Sequence, residues 1–146
     1  MTLDSSARAR RVVRASALYD LLVTLPLATP WTARGVFSAF TALHVRFAAS
    51  GAPPVVEGPV AMLLANLVGS LVVVWAVVRL LRPSAELGLA DTVARVLFAT
   101  WMAVAIAGGA SGVLAGYLVP EVLWGIVQGA AVLGLPSRAR TARVAV

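Results

Sequence analysis

The chain has 146 residues, 60% of them hydrophobic and 12% charged, with a formal net charge of +6. Soluble domains carry about 25% charged residues, so a water-wetted globule is excluded, and the length suits one membrane domain of roughly three to five spans. There is no cysteine and His44 is the lone histidine, which excludes disulfides, thiolate metal sites, cysteine nucleophiles and a haem held by two histidines of one chain.

Every basic residue is arginine. With the abundant alanine, valine and glycine this reads as a GC-rich coding bias and points to a bacterial cytoplasmic (inner) membrane. The arginines sit at the ends of apolar runs, as positive flanks do, so nucleic acid is not expected as a partner; the lipid bilayer is.

Residues 1–14 are polar and basic, with Arg8, Arg10, Arg11 and Arg14 against Asp4. They could serve as the n-region of a signal peptide, and Arg10-Arg11 as a twin-arginine signal. Asp20 interrupts the apolar stretch that follows, however, and no A-x-A cleavage site comes after it, so an uncleaved first span over residues 12–30 is expected. Pro26 frees the carbonyl of Leu22 inside that span, and Pro30 and Trp31 suit an end at the interface.

Residues 32–50 hold Arg34, His44 and Arg46, and their apolar residues Val36, Phe37, Phe40, Leu43 and Phe47 recur at helical spacing. This predicts an amphipathic helix lying in the interface. An extended loop rich in glycine and proline follows it. The clearest span is the uncharged run 60–78, extended to residues 60–81 and closed by Arg79 and Arg82. Third and fourth spans follow over residues 90–107 and 113–135, joined by the turn from Gly108 to Gly112, with Pro120 inside the fourth. The expected fold is therefore all-α: a single polytopic membrane domain, an antiparallel four-transmembrane-helix bundle with a short interfacial helix between spans one and two. Arginine is dense at the N-terminus, after span two and at the C-terminus (Arg138, Arg140, Arg143), and sparse elsewhere. The positive-inside rule then puts both termini in the cytoplasm.

Charges in hydrocarbon cost at least about 2.5–3.5 kcal/mol at a helix centre, so they turn inward and pair. Asp20, Asp91, Arg95 and Glu121 are such groups, accompanied by Asn66 and Gln128. Asp91 and Arg95 share a face at i, i+4, and Asp20 falls at a similar depth, which predicts an Asp20–Arg95–Asp91 cluster. Glu121, Gly125 and Gln128 form a stripe on span four, and Asn66, Gly69 and Ser70 mark the inward face of span two; a Glu121–Asn66 hydrogen bond is expected. Gly125 and Gly129 match the small-x3-small pattern and could seat a neighbouring helix within the chain, a membrane-protein partner or a second copy. The tryptophans Trp31, Trp75, Trp101 and Trp124 read as interfacial or lipid-facing anchors, with Trp101 the one placed to pack inside.

No phosphate loop, metalloprotease histidine pair or Ser-His-Asp set is present, so no catalytic residue, metal or cofactor is expected. A structural or accessory component of a membrane complex is the leading expectation. The alternative is a small oligomeric carrier or proton-linked transporter using the buried carboxylates. An intramembrane enzyme holding a lipid or quinone head group on His44 and Arg46 is the least favoured.

Overall fold

A computed structural model describes residues 3–134; their regular elements are all helical, with one isolated β-bridge between Ala52 and Ala110. Five α-helices follow one another: α1 (Leu3–Thr24), α2 (Pro30–Arg46), α3 (Gly58–Leu81), α4 (Ala85–Ala107) and α5 (Ala115–Val132). Short 3-10 turns, Leu25–Ala28 and Gly112–Leu114, precede α2 and α5. The expected end of the fourth span at residue 135 and the arginines beyond it lie outside the described residues.

Three segments are long and apolar enough to cross a membrane: Gly58–Leu81, Ala85–Ala107 and Gly112–Val132. There are four if the bent pair Ala7–Ala28 and Pro30–Arg46 is one span. Only 11% of the apolar window in each of the three is buried inside the chain, and Leu64, Leu71, Val93 and Leu123 are among the exposed residues. An apolar surface this extensive is compatible with an integral membrane protein, whose outer solvent is lipid.

The segment expected to form a continuous first span over residues 12–30 is broken instead. α1 stops at Thr24, Pro26 opens the 3-10 turn, and Thr29 is extended at φ −129 and ψ 148. Two prolines explain this. Pro26 cannot donate to the carbonyl of Leu22, and Pro30 drives the residue before it out of the helical region. The chain bends by 105° here. Pro30 then starts α2, capped by the Thr29 hydroxyl, which accepts from the Thr32 N–H at 3.4 Å.

α2 begins two residues earlier and ends four residues sooner than the predicted interfacial helix. Its better-covered face runs through Ala33, Val36, Phe37, Phe40, Thr41 and His44. Leu43 and Phe47, the other members of the apolar stripe expected from spacing, are exposed. Phe40 stacks on Tyr117 with centroids 5.0 Å apart. Beyond α2 the loop is stitched to the α4–α5 turn: the Ala52 N–H donates to Gly109 O at 2.8 Å and the Gly112 N–H to Ser50 O at 2.9 Å.

α1 is the shared element, touching α3, α4 and α5, while α4 and α5 pack along each other. Its buried residues Ala9, Val13, Ser16, Ala17 and Asp20 follow one helical stripe. On α3, Gly69 meets the bend directly: a Cβ built there would lie 2.6 Å from the backbone carbon of Leu27. Three residues earlier on the same face, the Asn66 side-chain amide donates to Leu27 O at 2.8 Å. That carbonyl lost its helical partner when the chain broke, and the amide replaces it. Ser70, grouped with Asn66 and Gly69 from sequence, is exposed.

Gly69→Ala should therefore lower stability by about 1–3 kcal/mol, since backbone cannot move aside as a side chain can. Gly35→Ala on α2, where a new Cβ meets nothing within 4 Å, should instead raise it by about 0.5–1 kcal/mol through helix propensity. Thermal unfolding of the two variants in detergent checks both signs.

Candidate functional site

Each of four helices contributes ionic or polar groups in helical phase. α1 offers Ser16 and Asp20, α3 offers Trp75 and Arg79, α4 offers Asp91 and Arg95, and α5 offers Glu121 and Gln128. Spacings of four or seven residues keep each pair on one face. The helices meet with these faces together.

Two guanidiniums occupy the centre. Arg79 donates to Asp20 Oδ2 at 2.5 Å and pairs with Asp91 Oδ2 at 2.7 Å. Arg95 donates through Nη2 to both oxygens of Asp20, at 2.7 and 2.6 Å, through Nε to Asp91 Oδ2 at 3.0 Å, and through Nη1 to Glu121 Oε2 at 2.9 Å. Asp91 also accepts from Trp75 Nε1 and from Gln128 Nε2, at 2.8 and 2.9 Å. Gln128 further donates to Gly88 O at 2.9 Å, and its carbonyl accepts from the Ser16 hydroxyl. Arg79 also lies 5.8 Å from the centre of the Trp75 ring. Only its Nε lacks a partner among the buried side-chain atoms described.

The network is dry. Arg79 is fully buried, Asp20, Asp91, Arg95 and Gln128 are buried, and Glu121 is the most open carboxylate, with 16% of its side chain exposed. Glu121 instead faces a cavity of about 430 Å³, bounded also by Asp20, Asp91 and Arg95 at its polar end and by apolar side chains elsewhere.

Among the groups singled out from sequence, Asp20, Asp91, Arg95, Glu121 and Gln128 meet here, while Asn66 does not. The expected Glu121–Asn66 bond is absent: Glu121 is taken by Arg95, and Asn66 by the broken backbone at Leu27. His44 and Arg46 lie apart from the network and from each other's contacts. His44 Nδ1 is 2.8 Å from the Ser111 hydroxyl, which also caps the Val113 N–H, so the pair fastens α2 to the turn before α5. Arg46 is exposed. Gly125 and Gly129 face Arg95 and Thr92, with a built Cβ 3.7 Å and 3.2 Å away respectively, so the close approach they permit is between α4 and α5. Trp101, placed inside from its mid-span position, is 65% exposed. Trp75, read as an anchor, is a hydrogen-bond donor to the network.

Arg79 is the member that the sequence does not reveal, because its place after the uncharged run 60–78 reads as a flanking charge. Two signals pointed inward. It follows Gly69 by ten residues and Ala76 by three, in phase with the small-residue face of α3. In addition, three buried carboxylates set against Arg95 alone left two negative charges without a partner.

Among the described residues no group of three His, Asp or Glu side chains is arranged to hold a metal ion. No family model, curated protein or solved structure matches the chain.

Removing one member of a buried ion pair strands its partners, at about 3–5 kcal/mol. Arg79→Met should therefore destabilise by that amount, whereas exposed Arg82→Met should change stability by less than about 0.5 kcal/mol. Unfolding midpoints measured in one detergent distinguish them; equal effects would show that Arg79 acts only as a flank.

Proposed function

We propose that the protein is a structural or accessory component of a larger complex in a bacterial cytoplasmic membrane. In this reading it is an antiparallel four-span bundle with both termini in the cytoplasm. One observation carries it: the network's ionic groups are engaged with one another inside the chain, tying α1, α3, α4 and α5 into a fixed unit. A unit so braced, with its outer faces apolar and exposed, suits lateral packing against other membrane helices. Extraction from cells in mild detergent should yield a partner at fixed stoichiometry, and replacement of outward Leu67 and Leu71 by alanine should weaken that association. Recovery of a homogeneous monomer with no partner in cells would reject the reading.

Sidedness has its own test, because the chain contains no cysteine. A cysteine at exposed Glu86 should react only with reagent supplied from the cytoplasm, and one at exposed Glu57 only from outside.

The second reading, a proton-linked carrier, is favoured by the position of Glu121 at the polar end of the cavity. It expects flux in reconstituted vesicles that Glu121→Gln abolishes.

A further inference from the structure

We propose that the cavity beside the network binds a monovalent organic cation with an apolar body, of the alkylammonium or quaternary ammonium class. The cavity, at about 430 Å³, falls within the roughly 300–1,000 Å³ typical of small-molecule sites. Valine, leucine and methionine side chains form much of its wall, and these accept an apolar body.

Charge selects the other end of the ligand. Asp20, Asp91 and Glu121 face Arg79 and Arg95, three carboxyls against two guanidiniums, so with every carboxyl ionised the network holds one negative charge more than it balances internally. The geometry assigns that surplus to Glu121. Asp91 accepts bonds on both oxygens, from Trp75, Arg79, Arg95 and Gln128, and Asp20 accepts on both from the two arginines. Glu121 is hydrogen-bonded within the described chain through Oε2 alone, to Arg95. An anionic ligand would add to the surplus, whereas a single cation cancels it in a low-dielectric site where the attraction is strong.

Aromatic rings supply a second, independent preference. Tyr19, Trp75, Phe98 and Tyr117 line the same cavity, and aromatic faces attract ammonium groups without requiring hydrogen bonds from them. Trp75 is already approached by Arg79, Tyr19 by Trp124 and Tyr117 by Phe40, which leaves Phe98 as the principal open surface, with the remaining faces of the two tyrosines beside it. The accessory reading above does not depend on this site; a carrier would take its cargo class from it.

The test uses the full chain purified in a non-ionic maltoside detergent, with tryptophan fluorescence and calorimetry reporting binding of hexyltrimethylammonium, hexanol and hexanoate. The ammonium compound should bind at least about tenfold more tightly than hexanol, and hexanoate more weakly than either. Glu121→Gln should reduce ammonium affinity about tenfold and leave hexanol unchanged. Equal affinity for hexanol and the ammonium compound overturns the proposal, since a proton on Glu121 would then neutralise the site. An unchanged ammonium affinity in Glu121→Gln overturns it as well. Should that variant fail to fold, Phe98→Leu, outside the ionic network, decides: about threefold weaker ammonium binding with unaltered hexanol binding supports the site, and equal loss for both ligands rejects it.

Discussion

Two guanidiniums and three carboxylates withdrawn from water hold this protein in its arrangement. Lipid tails are as apolar as leucine, so burying apolar area gives membrane helices little reason to prefer one another over lipid. A charge left facing hydrocarbon does give them a reason, because its solvation is lost unless another helix restores it. Asp20 on α1, Arg79 on α3, Asp91 and Arg95 on α4 and Glu121 on α5 each need a group from another helix. Ser16, Trp75 and Gln128 fill the coordination that the ions leave open.

The same demand operates on the backbone. Pro26 and Pro30 break the chain between α1 and α2, and the break exposes a carbonyl that a continuous helix would have satisfied. Asn66 supplies the replacement donor, and Gly69 lets α3 approach closely enough for it to reach. A polar residue whose position on span two suggested partnership with a carboxylate thus serves the main chain. His44 works similarly at the other end of α2, where its bond to Ser111 joins segments far apart in sequence.

The network and the cavity point to different kinds of work. Asp20 and Asp91 accept on both oxygens, and both arginines donate to more than one carboxylate, which suits them to bracing. Glu121 is attached by one oxygen and opens onto space, so it can interact with something other than the chain itself. Bracing supports the accessory role, and the open carboxylate supports ligand binding at the cavity; the two are compatible because Asp20, Asp91 and Arg95 border the cavity with their bonds already made, while Glu121 keeps one oxygen free of the chain.

Much of this was legible in the residues taken alone. The uncharged run 60–78 is too long and too apolar for a surface helix, and the third and fourth apolar segments follow from the same count. Asp20, Asp91, Arg95, Glu121 and Gln128 stand out because any polar group in such segments is costly wherever it points. What the sequence by itself determined was therefore which groups needed partners. Which partner each received was decided only by tertiary structure. An arginine two residues from a helix end, as Arg79 is, has a side chain long enough either to reach the interface or to turn inward. Whether Gly125 and Gly129 seat a helix of this chain or of another, and whether Asn66 meets Glu121 or Leu27, depends likewise on the rotation of each helix and the 105° bend after α1. Spacing along one helix fixes which residues share a face, but the direction of that face is set by the other helices it must satisfy.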